Sequence, residues 1–112
     1  MPRPHIRTFT DRAFADDVLD AEVPVLVEFW ASWCASCRAL LPVIDHVAND
    51  YVGLLRVGTL DVDDNHRIPR TFEVESLPTL LLFRSGRVVA RLGNQASKAT
   101  ITEMIERHLA PA

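Results

Sequence analysis

The sequence predicts an α/β fold in which one mixed β-sheet is covered by helices on both faces, in the order β-α-β-α-β-α-β-β-α. Three observations carry that reading. Val25-Leu26-Val27-Glu28-Phe29-Trp30 is apolar at nearly every position, as a central parallel strand covered on both sides must be. From Cys34 to about Asp50, apolar residues recur at three- and four-residue steps, which describes a helix with one buried face. Thr79–Arg84 and Arg87–Leu92 flank Ser85-Gly86, the dipeptide signal of a tight antiparallel hairpin. At 112 residues the chain is long enough for one domain with one core, and residues 1–112 are read as a single unit with its core between about 6 and 109.

The elements follow in order. Ile6–Phe9 is a short candidate strand, after which Thr10 is placed to cap a helix burying Phe14, Val18 and Leu19. Pro24 opens the second strand. The helix from Cys34 carries the stripe Cys37, Leu40, Leu41, Ile44, Val47, Ala48 and Tyr51, with Pro42 inside it to kink the turn after the cysteines. Leu54–Val62 reads as a third strand and Arg67–Phe72 as a short helix. Beyond the hairpin, Ser97–Leu109 forms a final helix with Ile101, Met104, Ile105 and Leu109 inward, and Ala110-Pro111-Ala112 is expected to fray.

Composition excludes several functions. With 48% hydrophobic and 24% charged residues the chain is globular. A net charge of −3 offers no surface for tracking phosphates, so nucleic acid is not expected as a partner. Met1–His5 leads into no apolar leader, and the longest apolar run, Leu80–Phe83, is far too short to span a bilayer. One close cysteine pair without a leader fits a reducing, cytoplasmic setting.

The chemistry concentrates at Cys34-Ala35-Ser36-Cys37, which holds the only two cysteines. This spacing on the first turn of a helix brings two sulfurs within bonding reach and lets the pair reopen, which is the requirement for thiol–disulfide exchange. The attacking species is a thiolate, and a helix N-terminus favours the anion through its unpaired N–H groups and roughly half a positive charge. Cys34 occupies that end and is assigned as the nucleophile. Cys37, on the buried stripe, resolves the mixed disulfide. Zinc would require two more ligands; the available His5, His46, His66 and His108 form neither a second Cys-x-x-Cys nor a paired-histidine spacing, so no metal is expected. Glu28 shares a strand face with Leu26 and Trp30, where burial raises a carboxyl pKa and suits it to pass a proton to and from Cys37. The competing reading is a glutamate that reaches solvent or pairs with an arginine.

Phe29-Trp30-Ala31-Ser32-Trp33-Cys34-Ala35-Ser36-Cys37-Arg38, Pro42, Leu77-Pro78-Thr79 and Phe83-Arg84-Ser85-Gly86, taken in order and spacing, resemble the thioredoxins from about Phe9 to Leu109. The resemblance implies a thioredoxin fold, a five-stranded mixed sheet of order 1-3-2-4-5 flanked by four helices. It makes Pro78 a cis-proline facing the cysteines, so that the Leu77 backbone can pair with an extended substrate strand. Trp33, Ala35, Ser36, Leu77, Pro78, Leu92 and Gly93 then correspond to the substrate-docking platform, and Glu28 to the family's buried aspartate. It further implies disulfide-containing protein substrates, a thioredoxin reductase as electron donor, a monomer, and no cofactor beyond the redox-active Cys34–Cys37 disulfide.

The departures from that pattern are specific. Ala35-Ser36 replaces the family's Gly-Pro, which removes a φ constraint, restores an N–H and places a hydroxyl beside the nucleophile; a weaker reductant is expected. Thr59 stands where the family has a lysine partner for the buried acid, so the Glu28 pKa is expected to rise by desolvation with no cation to offset it. One residue is missing between Gly86 and Gly93, which is expected to shorten the hairpin. Asp61-Val62-Asp63-Asp64-Asn65 imitates a calcium loop but has His66 where glycine belongs and Phe72 where the bidentate glutamate belongs; it reads as a solvated turn. His108 is placed as a favourable charge at a helix C-terminus, and Arg84, Arg87 and Arg91 as a polar hairpin edge. Two rival functions remain open at this point: net disulfide oxidation or isomerisation, and a binding module for one dedicated partner.

Overall fold

A computed structural model describes residues 5–109; the tail at 110–112 lies outside them. Five strands, β1 (Ile6–Phe9), β2 (Val25–Trp30), β3 (Arg56–Asp61), β4 (Thr79–Arg84) and β5 (Arg87–Leu92), form one sheet of order β1-β3-β2-β4-β5. β1, β3 and β2 run parallel, whereas β4 is antiparallel to β2 and to β5. Four helices flank the sheet: α1 (Ala35–Asp50), α2 (Arg67–Thr71), α3 (Lys98–Leu109) and a short π-helix, one wide turn, at Ala15–Leu19. This is the thioredoxin architecture.

Alternation along the central strands separates two cores. Val25, Val27 and Phe29 of β2 join Leu81 and Phe83 of β4 against Phe9, Phe14, Val18, Leu60 and Ile68. Leu26, Leu80 and Leu82 face the other way, onto Leu40, Ile44 and Val47 of α1 and Ile101, Met104 and Ile105 of α3. Glu28, two residues on from Leu26, therefore points to the α1 side. Gly58 lets β1 approach β3: a Cβ there would lie 2.6 Å from the Arg7 carbonyl oxygen and closer still to the Phe9 ring edge.

Four local expectations are corrected. Thr10 caps only a tight turn, accepting from the Ala13 N–H at 3.1 Å; the helix after it is a single wide turn closed by Asp20 N–H to the Ala15 carbonyl at 2.9 Å. β3 begins at Arg56, not Leu54, because Gly53 (φ +86°) ends α1 in a turn that leaves Leu54 61% exposed. α2 stops at Thr71 and α3 begins at Lys98, with Ser97 capping it by accepting from the Thr100 N–H at 3.2 Å. The hairpin turns at Ser85-Gly86, both with positive φ, and leaves Val89 unpaired between the pairs Leu82↔Ala90 and Phe83↔Val88. Pro42 stands inside α1 as expected.

Candidate active site

β2 delivers the chain to the cysteines. After Trp30, the Cys34 N–H closes a turn onto the Ala31 carbonyl at 3.0 Å, and Arg38 fastens the approach by donating to the Ser32 carbonyl. Cys34 is then the N-cap of α1 in an extended conformation, so the helix proper starts one residue later than the sequence indicates. Its Sγ accepts the Cys37 N–H at 3.2 Å, the role an N-cap oxygen usually fills. The first turn of α1 carries no carboxylate, leaving the positive helix end uncompensated.

Cys34 and Cys37 are joined as a disulfide with Cα atoms 5.3 Å apart. The two sulfurs differ in access: Cys34 is 7% exposed and Cys37 fully buried. Ala31, Trp30, Val62 and Leu77 pack around them. The Ser36 hydroxyl lies 3.4 Å from the Cys34 sulfur. Trp33, 67% exposed, projects beside the pair with its indole N–H donating to Asp63 Oδ2 at 3.0 Å.

Glu28 is fully buried, and neither carboxyl oxygen has a hydrogen-bond partner among the described residues. Its neighbours in register are Thr59 of β3 and Leu80 of β4. Desolvation by burial pushes its pKa from 4.5 up to about 8. The reading in which it reaches solvent or pairs with an arginine is thus excluded.

A groove of about 340 Å³ opens at Cys34, lined by Trp33, Cys34, Val62, Pro69, Val74, Glu75, Ser76 and Leu77. Of the docking residues expected from the sequence, Trp33 and Leu77 line it. Pro78, Leu92 and Gly93 do not; they stand beyond Leu77, with the Pro78 carbonyl oxygen 3.9 Å from where a Cβ on Gly93 would sit. The Leu77–Pro78 peptide is cis. Ala35 and Ser36 are exposed on the first turn and lie outside the groove lining.

The family model described as "Thioredoxin" matches residues 5–107. A thioredoxin from Pseudomonas aeruginosa is 41% identical over 105 residues, covering 94% of this chain and 97% of its own. Thioredoxin 1 of Nostoc sp. is 39% identical over 100 residues, covering 89% and 94%. A thioredoxin from Mycobacterium tuberculosis is 45% identical over 92 residues, covering 82% and 79%. The chain belongs to the thioredoxin family.

With the Cys34–Cys37 pair closed at the start of α1, it is a thiol–disulfide oxidoreductase, a protein-disulfide reductase. Thioredoxins do this work with the dithiol itself, act on disulfide-containing proteins, and are usually recharged by a thioredoxin reductase. Neither rival function gains an observation of its own. Among the described residues no helix is long and apolar enough to cross a membrane, and no three His, Cys, Asp or Glu side chains gather as a metal site.

Sequence reasoning missed five groove residues: Val62, Pro69, Val74, Glu75 and Ser76. They come from the end of β3, from α2 and from the loop before β4, and no spacing in the chain announces that these segments converge. The calcium-like loop is used internally: Asp61 Oδ1 accepts the Asp63 N–H at 2.9 Å, and Asn65 Oδ1 accepts the Asp11 N–H at 2.8 Å. Arg91, expected as an edge charge, donates to the Phe72 carbonyl at 2.6 Å and the Glu73 carbonyl at 3.4 Å, holding the groove's loop from behind.

Proposed function

We propose that Cys34 is the attacking thiolate, Cys37 the resolving thiol and Glu28 the group that exchanges a proton with Cys37. The observation that carries this is the asymmetry of the pair: one sulfur at the groove and the N-cap, the other sealed beneath it. The Cys34 thiolate attacks one sulfur of a substrate disulfide, forming a mixed disulfide and releasing the first substrate thiolate. Cys37, having given its proton to the carboxylate of Glu28, attacks the Cys34 sulfur. The second substrate thiolate leaves, and two electrons have passed from the dithiol to the substrate.

Substrates dock across Trp33 and Leu77, with Pro78, Leu92 and Gly93 flanking the backbone that pairs with them and Ala35 and Ser36 meeting them at the helix start. The reading includes a monomer with no bound cofactor, recharged by a thioredoxin reductase. It works in the cytoplasm, since a pair that must be re-reduced each turn suits a reducing compartment. Nucleic acid and membranes are not partners.

The test is trapping. Reduced Cys37→Ser should accumulate a mixed disulfide with a disulfide protein through position 34, and Cys34→Ser should accumulate none. In the native reduced protein, brief alkylation at neutral pH should label Cys34 and spare Cys37. Equal labelling of both, or trapping through position 37, overturns the assignment.

A further inference from the structure

We propose that Glu75 makes the groove select disulfides whose cysteine is flanked by lysine or arginine, an inference that rests on the exchange reading above. Among the described residues Glu75 is the only charged side chain lining the groove that holds Cys34. It is exposed, and among the described residues it has neither an ion pair nor a hydrogen bond. The groove continues past Val62, Pro69 and Val74 into a second hollow of about 430 Å³, whose wall includes Glu75 again and adds Glu73, Arg70 and His66. Val62, Pro69, Val74 and Glu75 belong to both, so Glu75 borders the path of a bound chain that leaves the disulfide this way.

None of the nearby basic side chains lines the groove at Cys34. Arg38 donates to the Ser32 carbonyl, Arg91 to the Phe72 and Glu73 carbonyls, and Arg67 to the Asp11 carbonyl. His66 Nε2 is 2.9 Å from the Asp63 carbonyl oxygen. Arg70 lies in the farther hollow and does not line the groove at Cys34. Among the described residues the charge in the wall beside the reacting sulfur is therefore negative. The apolar residues around it supply contact without discrimination, and the carboxylate supplies the discrimination.

The probes are three disulfide-linked peptide dimers, identical except that the cysteine is flanked on both sides by lysine, glutamine or glutamate. Their second-order rate constants with the reduced protein are measured for the native chain, Glu75→Gln and Glu75→Lys. Lysine also makes its neighbouring thiol a better leaving group, so the readout is the lysine-to-glutamate rate ratio compared between proteins, in which that intrinsic effect cancels. An exposed charge pair changes an equilibrium by up to about fivefold. The ratio is expected to fall about threefold to fivefold in Glu75→Gln and further in Glu75→Lys. The difference should vanish in 1 M salt, where the screening length is about 3 Å. A ratio indifferent to residue 75 at low salt overturns the inference alone. A native protein that reduces none of the three peptides overturns the exchange reading, and the inference with it.

Discussion

The indole of Trp33 is held by Asp63: its Nε1–H donates to the carboxylate oxygen at 3.0 Å across thirty residues of chain. An exposed tryptophan at the rim of the groove is thereby fixed in one orientation beside Cys34, and Asp63 is itself set by the turn in which its N–H donates to Asp61. Releasing the ring costs substrate alignment more than folding. Asp63→Ala is expected to lower kcat/KM for a disulfide protein by about threefold to fivefold, the size of one exposed hydrogen bond. Turnover of a small-molecule disulfide, which needs no platform, should stay within a factor of two. Parallel rates on both substrates separate these outcomes.

Glu28 gives the protein an unusual dependence on pH. Its folded-state pKa of about 8 lies above the unfolded value of 4.5. Between these two values the folded state binds the proton more tightly than the unfolded state does. Stability therefore falls as pH rises from 4.5 to about 8 and levels off above it, by at most about 1.4 kcal/mol per unit. Glu28→Gln is expected to flatten this slope and to be the more stable protein at pH 8 by a few kcal/mol. Denaturant midpoints across that range will show it; parallel curves for the two proteins would contradict it.

Ser36 lies 3.4 Å from the Cys34 sulfur. On reduction that sulfur takes up negative charge, and a hydroxyl donor at this distance stabilises it. The dithiol is then favoured relative to the disulfide, which makes the pair a weaker reductant. Restoring Gly-Pro, as Ala35→Gly with Ser36→Pro, is expected to lower the potential by about 30 mV, a tenfold change in the equilibrium constant. Titration against glutathione measures it, and an unchanged or higher potential in the double variant would refute the role of the hydroxyl.

Gly58→Ala probes the fold away from the site. A methyl group there meets the Arg7 carbonyl and the Phe9 ring, both fixed by the β1–β3 ladder. β1 must move away from β3, and the expected loss is about 2 kcal/mol or more, read from urea denaturation. Exchange activity of the surviving folded fraction should be near normal, since Gly58 lies outside the groove at Cys34.

What could be read from the chain was local. The cysteine spacing, the stripe of α1 and the Ser85-Gly86 turn each lie within a few residues, and strand alternation alone turned Glu28 inward. What escaped depends on distance. Asp11 receives the N–H groups of Arg67 and Ile68 at 2.9 Å each, capping α2 from more than fifty residues away. The Val89 bulge interrupts the alternation of β5, placing Val89 and Ala90 together against the same core. The groove escaped for the same reason: its floor and walls come from four separate stretches, and the loop before β4 is secured by an arginine on β5.

The linked rings of Phe9, Phe14, Phe83 and Phe72, with centroids 5.2 to 6.3 Å apart, also bear on how the molecule assembles. Phe83 touches both Phe14 and Phe72, and β4 pairs antiparallel with β2. During vectorial synthesis the amino-terminal half, cysteines included, emerges well before the residue that completes this column. The aromatic face of the first two strands is completed only by the last hairpin, so the reactive thiols leave the ribosome ahead of the finished sheet.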